Sequence, residues 1–456
     1  MRSGFLCALL LVGAFPFSAA AQPVRRYGID DLVRLAQAQN PEIAIARKKL
    51  EAAHGGEVEA HAGYLPGVVS RGLYRRRERA DDSRLRPDDY SASLRVVQNL
   101  YTGGGVSNEN AIARLAFAKQ EDELAAVSNR VTMEVRLAFY ELLLNREKIH
   151  LREQSVEVLR GELKSENERL SAGTVGPLNA RRAEVALANE EPELIQAQTD
   201  LRNSYLHLAD LCGLEEDQTF DATGSLRYEP RHPDLAAALM RAATDRPEIR
   251  SAQKDIAIET HQLEVDRSAS RPHLQAFTGY EVYSERDPLV GPEFNHGYVV
   301  GVNANWNIFD GFATRGRMEA TRARRAAAEL ALKALKIGIQ SEVRSAFLDL
   351  QQADSVLAAQ AKNVRTADEA FTFAQSNLAA GLGTQLDVLQ SAEDVTRTQT
   401  TRLSAIYLHN AALARLDRAM GDPPPTGAND AKEFAPNEKL TTEELARPPA
   451  KLGIRK

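Results

Sequence analysis

Apolar positions recur along this chain in two rhythms, one of seven residues and one of two. Val135, Leu142, Ile149, Val156, Leu163 and Leu170 stand seven apart and end at Ala172-Gly173. Adding 208 to each number gives Val343, Leu350, Leu357, Val364, Phe371 and Leu378, ending at Ala380-Gly381. A seven-residue apolar repeat held this long marks helices wound about one another with a left-handed supercoil. Its appearance twice in one register makes the molecule a duplicated unit built on a long helical hairpin. The first long helix reads from residue 108 to 171, which at 1.5 Å per residue spans roughly 95 Å. Glycine just past the last apolar position stops it in both copies, and the chain returns through Leu187, Leu194, Leu201 and Leu208, with Pro192 as a kink.

The two-residue rhythm is clearest over 298–308. Tyr298, Val300, Val302, Ala304, Trp306 and Ile308 face one way, and Gly301, Asn303, Asn305 and Asn307 the other. A partner strand falls at 274–283, and 68–74 with 90–101 form the same pair in the first copy. Charged loops join the strands at 75–89 and 285–296. Such alternation fits a lipid-facing strand around a watery lumen, and equally a half-buried sheet of a soluble protein. Four strands do not close a membrane-spanning barrel, so the first reading requires several chains. The Gly-containing turns after the strands, at 101–105 and 309–312, lack the lysine of a phosphate-binding loop and the spacing of a dinucleotide site.

Ahead of the strands lies an amphipathic helix over 29–61, with Asn40-Pro41-Glu42-Ile43 as a helix restart; Arg246-Pro247-Glu248-Ile249 is its echo. The offset there is 206 (247 − 41), whereas it is 208 from Gly103 and Gly311 onward (311 − 103), so one two-residue indel lies between. The expected organisation is a signal peptide over 1–21, a first repeat over 22–214, a polar linker over 215–232, a second repeat over 233–421, and a loosely ordered tail over 422–456.

Composition narrows the setting. Arg2, the apolar run 5–17 and Ala19-Ala20-Ala21 make a cleavable export signal, and the run is too short for a membrane anchor. Cys7 lies inside that run, misplaced for lipidation; Cys212 is then left without a disulfide partner. With 57 basic and 63 acidic residues, net charge −6, there is no case for nucleic-acid binding. The nine histidines are scattered, no nucleophile or metal-ligand motif occurs, and carboxylates alternate with Arg and Lys at helical spacing. No enzyme, cofactor or metal is expected.

Taken together, the chain resembles the TolC-like outer-membrane efflux proteins. The resemblance rests on the tandem duplication, the two Pro-Glu-Ile restarts, the turn Trp306-Asn-Ile-Phe-Asp-Gly311, the tips Ala172-Gly173-Thr-Val and Ala380-Gly381-Leu-Gly-Thr-Gln-Leu-Asp387, and the closing Leu208-Ala-Asp-Leu-Cys-Gly213. It covers essentially the whole exported chain. It implies a mainly α fold with a membrane β-barrel portion: long antiparallel coiled-coil helices plus four strands per chain, three chains forming a twelve-stranded barrel and an α-helical tunnel. It also implies an outer-membrane exit duct for efflux or type I secretion, served by a periplasmic adaptor and an inner-membrane transporter. The tips Gly173, Thr174, Val175, Gly381, Leu382, Gly383 and Thr384 would meet the adaptor. Asp387 matches an acidic position that narrows the entrance; Gln390 and Asn179 stand where acidic residues are usual, which points to a hydrogen-bonded closure. The alternative, a soluble periplasmic coiled-coil adaptor or scaffold, would need one hairpin and a compact β domain, not two hairpins each preceded by strands.

Overall fold

A computed structural model describes residues 25–76, 88–214, 220–285, 289 and 294–421. The export signal, the tail, part of the linker and most of both inter-strand loops lie outside the described residues.

The elements run β1 Arg25–Tyr27, α1 Ile29–Gln39, α2 Pro41–Ala62, β2 Gly67–Arg76, β3 Asp88–Tyr101, α3 Gly105–Ser171 and α4 Pro177–Cys212. The second series is β4 Phe220–Ala222, α5 Leu235–Asp245, α6 Pro247–Ser268, β5 His273–Ser284, β6 Phe294–Asn305, α7 Ala313–Ala379 and α8 Gln385–Met420. Both α3 and α7 have 67 residues, and both α4 and α8 have 36. At 1.5 Å per residue the long helices reach about 100 Å.

The seven-residue seam is where the hairpins zip. Val135, Leu142 and Val156 are buried, as are Val343, Leu350 and Leu357; the seam residues nearer the tips are half-buried. Each repeat has its own core. Leu32, Ile43, Val135, Leu142 and Leu208 meet in the first, and Ala238, Ile249, Val343, Leu350 and Leu416 in the second.

The restart before each second helix does the same job with different chemistry. Asn40 accepts the amides of Glu42 (2.9 Å) and Ile43 (3.2 Å) on its Oδ1, while its Nδ2 donates to the Leu211 carbonyl at the end of α4 (2.9 Å). This is an N-cap that also satisfies a helix C-terminus. In the second repeat Arg246 replaces it. Its buried guanidinium donates to the carbonyls of Arg418 and Ala419 at the end of α8 (both 3.3 Å) and pairs with Glu248 and Glu342.

The four long strands form one antiparallel sheet in the order β2-β3-β5-β6, so β3 and β5 join the two repeats and β2 and β6 are open edges. Gly67 stands opposite Val97, and His273 opposite Asn305. Those pairs differ by 206 on one strand and 208 on the other, so the two-residue indel falls in the loop between strands. On one face Tyr298 is 92 % and Val300 83 % exposed. The other face carries polar groups, with Arg95 paired to Glu281 and lying 5.1 Å over the Phe277 ring, and Arg75 bound to Asp89 at 2.5 Å. β6 differs from its sequence reading: it starts at Phe294 and stops at Asn305. Trp306 lies beyond it, because the ladder ends where Asn305 meets His273, the first residue of β5; the indole Nε1 of Trp306 donates to the Ser270 carbonyl (3.0 Å).

Two further short strands were not legible. β1 and β4 pair in parallel, and β4 belongs to the segment read as a polar linker. Arg146 of α3 donates to the Ala222 carbonyl (2.9 Å) and to Asp221 (3.1 Å). Further on, Asn410 of α8 donates to the Arg227 carbonyl (3.0 Å), and His409 Nε2 lies 2.9 Å from the Glu229 carbonyl. The linker is thus a strap tied to the helices of both repeats.

Candidate functional site at the hairpin tips

Each long helix ends in the same left-handed turn. Gly173 has φ 71° and Gly381 φ 72°, a region that only glycine enters without strain. The amide of Gly173 donates to Leu170 (3.0 Å) and that of Thr174 to Arg169 (2.9 Å). Gly381 donates to Leu378 (3.2 Å) and Leu382 to Asn377 (2.8 Å). These paired bonds close the helix ends as Schellman motifs. The tips differ in what they present. The first offers Thr174, its hydroxyl tied to the Arg169 carbonyl (2.9 Å), and half-buried Val175; the second offers an almost fully exposed Leu382. Gly383 has little room, since a Cβ there would lie 3.1 Å from that of Asn377.

Beyond the second tip, Thr384 caps α8. Asp387 accepts from the Thr384 amide (2.9 Å) and hydroxyl (2.7 Å), and its own amide donates back to that hydroxyl (3.3 Å). This reciprocal capping box, first through the Thr384 hydroxyl and then its amide, holds the Asp387 carboxyl below the usual carboxylate range. A lowered value means the cap is complete above the ordinary carboxylate range and is lost as pH falls through the folded-state value. Asp387 is therefore ionised at neutral pH. Asn179 occupies the same third helical position of α4 and is half-buried, while Gln390 is exposed about one turn beyond Asp387.

The structure adds a group absent from the sequence reading. Glu162 of α3 accepts from Gln375 of α7 (3.3 Å) and from Gln385 at the start of α8 (3.4 Å). Four residues on, Glu166 is fully buried and bound to Arg169 (2.6 Å). A pair of acidic residues four apart on the seam side of α3, at the level of Leu163 and Leu170, was the available signal. The Glu162 bonds join the two hairpins of one chain close to their tips.

Among the described residues no group of three or more His, Cys, Asp and Glu side chains is arranged to hold a metal ion. Burial pushes the Cys212 thiol up to about 12, far from a nucleophile's range. No described helix is long and apolar enough to cross a membrane.

The sequence profile described as outer membrane efflux protein matches residues 32–214 and again 238–422. The chain is similar to the cobalt-zinc-cadmium resistance protein CzcC of Cupriavidus metallidurans, 24% identical over 416 residues, which covers 90% of this chain and 93% of that protein. Protein CyaE of Bordetella pertussis is 25% identical over 417 residues, 87% of each chain. Among solved structures, the outer-membrane channel OprN superposes with a TM-score of 0.76 at 18% identity, over 86% of this chain and 89% of its own. The outer membrane protein VceC of Vibrio cholerae gives 0.74 at 17%, over 86% and 96%.

Proposed function

Because the chain belongs to the outer membrane efflux protein family, we propose that three copies close into one duct: a twelve-stranded barrel in the outer membrane and a helical tunnel below it. The observation that carries this is the four-stranded sheet with two open edges and one exposed apolar face. Four strands are too few to close, and an exposed edge of this length invites another strand.

The duplication supplies the joint. β6 is the second-repeat counterpart of β3, and β2 the first-repeat counterpart of β5, so the pairing of β3 with β5 is a template for β6 against β2 of the next copy. Val96 stands opposite Thr278; shifting these by +208 and −206 puts Ala304 opposite Gly72 of the next copy. The helices support the same joint. Within the chain, α3 packs on α6, where Asp122 is bound by Arg250 (2.8 Å) and Lys254 and Ser251 is buried. The equivalent places are Leu330 (122 + 208) and Ile45 (251 − 206), both apolar and exposed, two unpartnered faces of matching character. A contact that repeats head to tail and closes makes a ring.

The duct receives its cargo from an inner-membrane transporter through a periplasmic adaptor that seats on Gly173, Thr174, Val175, Gly381, Leu382, Gly383 and Thr384. Asp387, Asn179 and Gln390 line the narrowed entrance, and the bonds of Glu162 to Gln375 and Gln385 hold it shut. In a planar bilayer the purified protein is expected to open discrete channels, with Asp387→Ala lowering cation preference; unchanged ion selectivity would remove Asp387 from the entrance. Gly381→Trp places a bulky side chain at a positive φ and is expected to abolish co-purification with the adaptor while the trimer stays intact. Retained co-purification would move the adaptor contact away from the tips.

A further inference from the structure

We propose that the junction between β6 and α7 is a binding site for a phospholipid of the inner leaflet, with its phosphate held by Arg315 and Arg322. This rests on the membrane reading above and adds a defined ligand to it. A cavity of about 460 Å³ opens there, walled above by Ile308, Phe309 and Phe312 and along α7 by Arg315, Met318 and Arg322. The apolar wall is exposed although three of its side chains are large. Phe312 holds φ 69°, the one described non-glycine residue at positive φ, and its ring packs edge-on against Phe309 at 5.4 Å. The first repeat has Gly104 at the equivalent position (312 − 208).

The polar floor is cationic. Arg315 and Arg322 are two turns apart on one face of α7, about 10 Å along the axis, and both are exposed without an acidic partner among the described residues. Asp310, the acid in the wall, is turned back on the helix, accepting from the amide (2.8 Å) and hydroxyl (2.6 Å) of Thr314. It makes no ion pair with Arg315 or Arg322 among the described residues. Guanidinium groups beneath an apolar ledge match a phosphate beneath acyl chains. The ledge also continues the exposed apolar face of β6, so the occupant comes from the lipid that bathes the sheet.

The neighbouring copy does not cover the ledge of Ile308 and Phe309. In the first repeat, where both neighbours are within the chain, the equivalents of Ile308 and Phe309 are Leu100 and Tyr101, still 58% and 45% exposed. The equivalents of Arg315 and Arg322 are Ser107 and Arg114, also exposed. At Gly104, the equivalent of Phe312, an added Cβ would lie 3.5 Å from Nη1 of Arg271 on the adjacent repeat. In a closed ring Leu65 of the next copy (271 − 206) therefore borders Phe312 as a side wall, while the ledge of Ile308 and Phe309 and the two arginines stay open to lipid.

Trp306 is the single tryptophan of the chain, and its indole is bonded to Ser270, which lines the cavity. It reports occupancy directly. The full chain in detergent is titrated with phosphatidylglycerol brominated on its acyl chains, and Trp306 fluorescence is followed. Saturable quenching is expected, with the half-saturating concentration raised about tenfold or more in Arg315→Glu/Arg322→Glu, the loss of charge-assisted bonds to phosphate. Equal quenching of the double variant, equal quenching by brominated diacylglycerol, or no saturable quenching overturns the site. Fractionation separates this from the wider reading: failure of the wild type to sediment with outer membranes sinks the membrane assignment, whereas normal sedimentation without headgroup dependence sinks the site alone.

Discussion

Mild oxidation of a chain carrying Gly72→Cys and Ala304→Cys is expected to yield a covalent trimer that resists boiling in detergent and collapses to monomer on reduction. Opposed residues of neighbouring antiparallel strands bring their Cβ atoms to about 4.5–5.5 Å, close to disulfide range. Gly72 has open space around an added Cβ, and Ala304 is exposed, so neither substitution disturbs the single chain. The native Cys212 is buried with its thiol pushed up to about 12, so it does not compete. Each single variant should remain monomeric on the same gel. Gly72→Cys with Val300→Cys is the register control, since four residues along a strand move the sulfur roughly 13 Å away. Equal cross-linking of the two pairs would remove the joint derived from β3 and β5.

The second large effect is at Gly279, in the strand that joins the repeats. A Cβ there would lie 2.3 Å from the Leu94 carbonyl oxygen and 2.9 Å from the Arg95 Cα, both backbone atoms of β3. No rotamer change relieves such an overlap, so the strands must part. Gly279→Val is expected to abolish the heat-sensitive trimer and leave the sheet open to protease, while far-UV circular dichroism still reports the helices, whose cores lie elsewhere. Gly297→Val on β6 is the matched comparison, because nothing lies within 4 Å of an added Cβ there. A Gly279→Val protein that still forms trimer would mean that β3 and β5 are not the fixed seam of the sheet.

The long-period features were legible because they are repeated. The seam residues, the helix stops at Gly173 and Gly381 and the four long strands each appear twice, at an offset that changes only at the single two-residue indel, and duplication removes the ambiguity of any single instance. Features made once were hidden. β1 and β4 are three residues each, too short for alternation to register, and β4 is anchored by Arg146 from a helix 76 residues earlier in the chain. Arg246 gave no sign that it would stand in for Asn40, since it reaches the end of α8 through a long side chain and not through a local cap. The strand reading overran at Trp306 because the period continues past Asn305 while the hydrogen bonds do not. At the tips the sequence marked Asp387 as a charge; the capping box with Thr384 and the buried Glu166 depend on how chain segments meet.

Equal arm lengths restrict how such a chain can change over time. The helices of both repeats have 67 and 36 residues, while the strand loops differ by two. An insertion in one arm would lift its tip out of the common rim and slip the seam out of phase. The length difference between the two repeats falls in the loops between strands. In the arms a change of length is admitted only in multiples of seven, matched in the descending and returning helix of every hairpin.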